Sequence, residues 1–428
     1  MRSIAQATVI ILAATGHASA NNISFISDPG VYGPPLEVVH AYYGQWPTGV
    51  TVSSTGRIFS NFPGGLDKAN VYDGSNDVFQ VGELTSLTTE VPYPSLEINH
   101  PPGGAINYTT TPLTSANSQD YLIGVQSVVI DALDRLWILD TGRVLGPDNV
   151  LLPAAYGGPK LVGVDLTTNK VFKTIVFPSD VAYPNTYLND IRFDLRSSVT
   201  ESGQGIGYIT DSSFEGHNAI IVVDLGTGES WRHLEVAHAV RSEPQFLSFI
   251  WGQPTYYTKS SNSPLTTNPT GSDGIAISAD GETLYFGAFA SRYLYSVPTA
   301  RLRDRSSTSE LLVQQSVVNH GQKGHSDGFE TDSNNLIYVG NNELNSITAF
   351  NPANGTTYPF VRDPRINWVD TMSVAADGHL YFTSNQLLQS EKKRPFGLFK
   401  ADLGADRHST RKVLARFGAE TPDKPEPK

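Results

Sequence analysis

The sequence predicts an all-β chain folded as a six-bladed β-propeller, and three observations carry that prediction. A short strand–turn–strand phrase is written six times. Its copies are spaced by roughly 40 to 80 residues, room for one four-stranded blade each. The composition is that of a loop-rich β protein: of 428 residues, 38 are Gly, 27 Pro, 19 Tyr and 19 Phe, while 17% are charged.

The first copy is PTGVTVSSTGRIFS (Pro47 to Ser60) and the second VQSVVIDALDRLWILD (Val125 to Asp140). The third is split between LNDIRFD (Leu188 to Asp194) and GYITD (Gly207 to Asp211). SDGIAISADGETLYFG (Ser272 to Gly287), SDGFETDSNNLIYVG (Ser326 to Gly340) and VDTMSVAADGHLYFTS (Val369 to Ser384) complete the set. In most of them apolar residues alternate with period two, as in Val50 and Val52, Ile191 and Phe193, or Ile275 and Ile277, which is the pattern of a strand with one buried face. The intervening STG, ALDR, SADGE, TDSNN and AADG supply turn residues. Ahead of the first copy, LEVVHAYY (Leu36 to Tyr43) is placed to add the outer strand of the last blade and tie the ring shut. Helix signal is almost absent beyond a turn at Val297 to Arg303.

At the N-terminus, Arg2 precedes the apolar run Ala7 to Ala14 and the box Ala18-Ser19-Ala20. That reads as a signal peptide over residues 1–20, so the chain is expected to be secreted. The propeller is then a single domain over 21–417, and the polar, proline-bearing 418–428 is a disordered tail. Sequons begin at Asn22, Asn107 and Asn354, candidate glycosylation sites. There is no cysteine, hence no disulfide or thiolate chemistry. The formal charge is −12, with 30 Lys and Arg scattered among 42 Asp and Glu. No basic face is available for nucleic acid, and no later window is apolar enough for a membrane span.

In a propeller the first strand of every blade lines the central channel, and its opening residues share one rim. Aligning the copies puts Thr48, Gln126, Asn189, Asp273, Asp327 and Asp370 in that position. Such a ring could hold a hard cation or orient a polar ligand. The competing reading is that these side chains satisfy strand ends and turns, Asp-Gly being common turn chemistry. Trp46 and Trp368 each stand two residues before an inner strand and offer an apolar wall, or else pack between blades. His325 is the one imidazole near the rim, where it could move a proton. Gly324-His325-Ser326-Asp327-Gly328 matches G-x-S-x-G but continues into a strand, without the helix a nucleophile elbow needs. His233 and His238 lack zinc-site spacing, and Gly203 to Gly207 lacks that of a dinucleotide loop.

The ordered runs QSVVIDALDRLWILDTG (Gln126 to Gly142), YLNDIRFD (Tyr187 to Asp194), GYITDSS (Gly207 to Ser213) and DGIAISADGETLYFGAFASRYLYSVPTARLRD (Asp273 to Asp304) resemble the major royal jelly protein and Yellow family, over roughly Leu36 to Leu403. The resemblance implies a secreted six-bladed propeller that binds biogenic amines in its channel, or a tautomerase of dopachrome-type quinones. It implies ligand contacts in the later blades, where this chain has Asp327, Asn341, Asn342 and Asp370. Insect members usually carry a cysteine ahead of RLW; here Asp131-Ala132-Leu133-Asp134-Arg135-Leu136-Trp137 stands instead, which looks like a microbial, fungal branch.

SDGIAISADGETLYFG is also similar to the senescence marker protein and gluconolactonase group, which implies calcium held by a first-blade glutamate, an asparagine and an aspartate. Asn189, Asp273 and Asp327 match the later parts, but Thr48 stands where the glutamate belongs. The expected function is therefore a propeller that binds an aromatic, quinoid or amine-bearing small molecule and isomerises or cyclises it, in pigment or secondary metabolism. Asp190, Asp327 or Asp370 would be the base; Gln126, Asn189 and Asn342 would be donors. No cofactor is expected on this reading. The alternatives are a calcium-dependent lactonase and a non-catalytic binding or structural protein. The sequence sets no oligomeric state.

Overall fold

The computed structural model describes residues 28, 30–258, 263–389 and 391–405. The signal-peptide, Asn22 and C-terminal-tail expectations lie outside the described residues. From Val31 the chain forms one unit, and its strands make six four-stranded antiparallel sheets, the blades of a propeller. Blade 1 is Val50–Val52, Ile58–Asn61, Val81–Leu84 and Glu90–Pro92; blade 2 is Val125–Ile130, Arg135–Asp140, Lys160–Asp165 and Lys170–Val176. Blade 3 is Leu188–Asp194, Ile206–Asp211, Ala219–Asp224 and Ser230–His233; blade 4 is Ser272–Ile277, Thr283–Ala288, Tyr293–Pro298 and Val318–Gln322. Blade 5 is Phe329–Thr331, Ile337–Asn341, Ser346–Asn351 and Thr356–Arg362.

Blade 6 takes three strands from the end of the chain, Val369–Val374, His379–Ser384 and Phe396–Asp402, and its outer strand, Glu37–Tyr42, from the beginning. That closing strand pairs antiparallel from Glu37 opposite Lys400 to Tyr42 opposite Phe396. The expected closure is thus present.

The repeated turn aspartates have a backbone task. Asp131 accepts hydrogen bonds from the N–H groups of Leu133 and Arg135 and from the Trp137 indole at 2.7 Å. Asp332 repeats the pattern with the N–H groups of Asn334 and Leu336. Each closes its first hairpin by satisfying donors that the tight turn would strand. Between blades the packing is apolar. Tyr208, Ile220 and Val222 of blade 3, for example, meet Ile275, Leu284 and Phe286 of blade 4. Polar stitches cross the same seams: the Asn61 amide donates to the carbonyls of Val125 and Gln126, and the Asn385 amide donates to that of Pro47.

The helical content exceeds the sequence expectation slightly. Thr299–Arg303 falls where a turn is expected, and Ser309–Gln315 follows it before the outer strand of blade 4. Leu302 and Val313 from these two turns enter the core shared by blades 3 and 4. Tertiary burial, more than local helix signal, holds these short segments.

Tyr42 anchors the closure. It is fully buried, its hydroxyl lies 2.6 Å from Ser60 Oγ of blade 1, and its ring meets Phe62 edge-on. Tyr42→Phe should cost about 1 kcal/mol for the lost hydrogen bond. Tyr42→Ala should cost about 3–5 kcal/mol and loosen the join between the first and last blades. Urea unfolding of both variants checks this; equal, small losses would mean that the closing strand does not hold the ring.

Candidate functional site

Four of the six inner strands carry a β-bulge in their opening residues: between Val125 and Ser127, Leu188 and Ile191, Ser272 and Ile275, and Val369 and Met372. The extra residue in each lies at Gln126, at Asn189 and Asp190, at Asp273, or at Asp370. A bulge breaks strict alternation and re-aims a side chain, so the polar column is turned toward the axis where the sheet would otherwise stay regular. The two Asp-Gly pairs are tuned to this crowding. A Cβ on Gly274 would lie 2.3 Å from the Asp327 carbonyl oxygen, and one on Gly328 would lie 2.3 Å from that of Asp370. These glycines let neighbouring inner strands approach, and Gly328 N–H donates to the Asp370 carbonyl at 2.7 Å.

The result is a cavity of about 150 Å³ at the channel mouth. Gln126, Asn189, Asp273, Asp327 and Asp370 form its polar floor; Leu66, Tyr187, Phe214, Tyr257, Phe289, Leu387 and Leu388 supply its walls. Asn189 Nδ2 donates to Asp273 Oδ2 at 2.8 Å and to Ser212 Oγ at 2.9 Å. Trp368 Nε1 donates to Asp327 Oδ2, and Asn385 Nδ2 to Asp370 Oδ2, each at 2.7 Å.

These carboxyls are short of counter-charge. Burial pushes Asp273 up to about 7, with the Asp370 and Asp190 charges adding to the effect. Asp327 and Asp370 are pushed well above the usual carboxyl range, again chiefly by burial. Asp273 and Asp327 lie side by side, and the Asp273 charge adds to burial in raising Asp327. Lys323, 2% exposed, donates to the Gly324 carbonyl at 3.1 Å and lies 5.3 Å from the centre of the Phe329 ring. Burial pulls its ammonium down to about 7.

Below the floor the channel narrows. Asp190 accepts from Ser127 Oγ at 2.7 Å and pairs with Arg192 Nη1 at 2.8 Å. The guanidinium reaches across to blade 5, where Nη2 donates to the Phe329 carbonyl at 2.6 Å and lies 3.8 Å from Glu330 Oε2. Small voids remain at this level, about 20 Å³ beside Thr51, Arg192 and Glu330 and about 10 Å³ beside Ser127 and Asp190.

The sequence column therefore divides. Five of its six members meet at the floor, while Thr48 accepts from Asn61 Nδ2 at 2.9 Å and is absent from the cavity lining, the first blade being represented there by Leu66. Asp190 stands one layer down, committed to Arg192. Trp46 is buried between blades and donates to the Asn385 carbonyl; Trp368 is buried behind Phe289, reaching the floor through Asp327 alone. His325 is enclosed by Phe246, Phe289 and Trp368. Burial pulls it down to about 3, and apart from a poorly aligned approach to the Phe289 backbone its nitrogens have no partner, so it stays neutral. Asn342 accepts from Val369 N–H at 2.9 Å and joins blades 5 and 6 instead of lining the cavity.

Ser326 of the G-x-S-x-G match is buried with no helix after it, and His233 pairs with Glu310. Asn107 is partly exposed and Asn354 exposed. The wall residues carried no repeat signal, since they come from the variable segments between blades; Tyr187 could have been found as the residue opening YLNDIRFD.

A calcium ion does not fit this floor. Three N–H donors, from Asn189, Trp368 and Asn385, already point at the carboxyls, and Leu66 replaces a first-blade carboxylate. Among the described residues no group of three or more His, Cys, Asp or Glu is placed to hold a metal ion. No described helix is long and apolar enough to cross a membrane.

Comparison with known proteins gives a consistent result. The sequence model of the major royal jelly protein family matches residues 123–395. Major royal jelly protein 1 of Apis mellifera is 28% identical over 42% of this chain and 38% of its own length. Protein yellow of Drosophila erecta is 27% identical over 53% of this chain and 37% of its own. The matched stretches thus span less than half the length of either relative. The crystal structure of regucalcin, a calcium-binding protein from Agrobacterium tumefaciens, superposes with a TM-score of 0.47 at 12% identity, covering 88% of this chain and 93% of that one. A likeness at that level carries no argument about chemistry.

The buried acids have a sign that can be checked. Asp273, Asp327, Asp370 and Glu330, the last raised to about 7 by burial, bind protons more tightly folded than unfolded. Their stabilising effect is complete below their unfolded values and lost as pH rises toward the folded ones. Asp332 is raised likewise, while His325 and His320, both depressed by burial, oppose these acids. Five acids against two imidazoles should make the melting temperature fall between about pH 4.5 and about pH 6.5. Asp370→Asn should flatten that fall; a melting temperature that climbs through this window would show these acids to be ionised there.

Proposed function

The chain belongs to the major royal jelly protein family, and on that premise we propose that its channel mouth binds a small aromatic amine or the quinoid ring related to it. One observation carries the proposal: three aspartates from consecutive blades lie under an apolar, aromatic-walled cavity of about 150 Å³. A dry cavity of about that volume takes a single benzene-sized ring. Lys323 is the one cation whose charge bears on Asp273 and Asp327 among their main influences, and burial weakens it, so an ammonium on the ligand adds the counter-charge these carboxyls are short of. Leu66, Phe289, Leu387 and Leu388 exclude water around the ring and so strengthen that pairing.

A second reading follows from the adjacent acids. Asp273, pushed up to about 7, can take or give a proton near neutral pH, and Asp327, also raised by burial, stands beside it. On a quinoid ligand the pair would move a proton from a ring-adjacent carbon to an oxygen, a tautomerisation that needs no redox partner. Asp327 and Asp370 keep their sequence-assigned place as candidate bases, joined by Asp273; Asp190 is already engaged by Arg192. A lactonase reading would need a calcium ion that these residues do not suit.

Secretion is part of the proposal, supported by the leader-like first twenty residues. Glycosylation is proposed at Asn107 and Asn354, whose side chains each accept a hydrogen bond from the sequon threonine hydroxyl at 2.7 Å. A role in pigment or secondary metabolism is proposed with them.

Thermal unfolding against aryl amines, quinones and lactones, each with calcium or chelator, tests the reading. A ligand that prefers the folded state at about 100 times its Kd adds about 2.7 kcal/mol. Amines or quinones should raise the midpoint whatever the chelator, and amine affinity should increase as pH rises through about 7, where Asp273 ionises. A midpoint that answers to calcium and lactone alone would sink the proposal. Product formation from a quinone distinguishes an isomerase from a binder.

A further inference from the structure

The cavity floor is polarised across the channel. Asp273, Asp327 and Asp370 open blades 4, 5 and 6, whereas Gln126 opens blade 2. In a ring of six, blade 2 stands opposite blade 5, so Gln126 faces the acid cluster across the axis.

Its amide is held in one orientation. Tyr187, 6% exposed, donates its hydroxyl to Gln126 Oε1 at 2.8 Å. Burial keeps the phenol protonated by raising it far above its ordinary value. The ring cannot easily withdraw, because Gly65 packs so tightly on it that a Cβ there would lie 2.7 Å from the hydroxyl oxygen. With Oε1 taken, Nε2 is left on the cavity side, and no hydrogen bond from it is found among the described residues. The reverse orientation would turn a carbonyl oxygen toward Asp273, which ionises near pH 7, and is then electrostatically worse.

Asn268, on the cavity wall, repeats the arrangement. Its Oδ1 accepts from Thr270 N–H at 2.8 Å and from Thr270 Oγ1 at 2.5 Å, leaving its amide N–H groups over. Asn189 is wired the other way, with both amide hydrogens spent on Ser212 and Asp273. The floor therefore offers acceptors on the acid side and a fixed donor opposite.

We infer that Gln126, with Tyr187 as its positioning residue, is the specificity-determining donor of this site, selecting aryl amines whose ring also carries an acceptor oxygen over those whose ring is bare. The ammonium lies on the Asp273, Asp327 and Asp370 side and the ring oxygen meets Gln126 Nε2. Free aromatic amino acids are disfavoured, because a carboxylate next to the ammonium would be pressed against the acid cluster. A built donor that loses its partner is left unpaired in a dry site, which is why such groups discriminate strongly. This inference rests on the amine reading of the cavity.

Tyramine and phenethylamine, which differ by one phenolic hydroxyl, separate the two claims by calorimetric titration. The full-length protein should bind tyramine about tenfold more tightly. The ratio should fall to about one in Gln126→Leu and part of the way in Tyr187→Phe, where the amide can turn. Gln126→Asn, too short to reach, should also lose the preference, which keeps the test open if the leucine variant does not fold. A structural effect would weaken both amines alike and leave the ratio near ten; that outcome overturns the inference. Wild-type binding of both amines without preference also overturns it while sparing the amine reading. Binding of neither overturns both.

Discussion

Everything at this site follows from six inner strands that begin at one rim and face one axis. Side chains at that position in neighbouring blades must share a small volume, whatever their chemistry. In blades 4, 5 and 6 that position is aspartate, so like charges are brought together where water is scarce. Carboxyls so placed resist ionising together, which raises all three, and the structure answers with single N–H donors from Asn189, Trp368 and Asn385. The geometry is only as good as the ring. Were Glu37–Tyr42 not seated beside Phe396–Asp402, blades 6 and 1 could part and the axis would open to water.

The same logic explains the channel's other end. Arg192 is held one layer below the rim aspartates by Asp190, the Phe329 carbonyl and Glu330. Its charge is spent on tying blade 3 to blade 5 beneath the floor. A ligand entering the mouth meets buried acid beneath and aromatic walls around.

Much of the fold was legible because its determinants are local. Alternation at period two, turn residues and the sixfold phrase are each read within about fifteen residues, and even the closing strand announces itself by an alternating run at the right end of the chain. The floor was legible by register: once the copies are aligned, Gln126, Asn189, Asp273, Asp327 and Asp370 must converge. What register does not give is direction. Thr48 has the right position but is turned to Asn61, and Trp46, Trp368 and His325 sit near the rim yet behind its wall. The walls themselves were hidden because Phe214, Tyr257, Leu387 and Leu388 come from connections whose paths are set by tertiary packing. The glycines after Asp273 and Asp327 read as turn residues, and instead make room for the next blade's backbone.

A raised Asp327 and a depressed Lys323 are two responses to one problem, the burial of incompletely compensated charge. Both lower the cost of the empty cavity at neutral pH, and both leave the floor able to change state when a charged ligand arrives. An ammonium entering beside Asp273 makes ionisation of that acid favourable and releases its proton. It discourages protonation of Lys323 for the same reason. A hydrophobic floor would be more stable and chemically inert; a floor of fully paired ions would have nothing left to offer. The stability given up in burying three under-compensated acids is thus recoverable by a cation of the right size, and that recovery, set against the fixed donor of Gln126, makes the cavity selective in both charge and orientation.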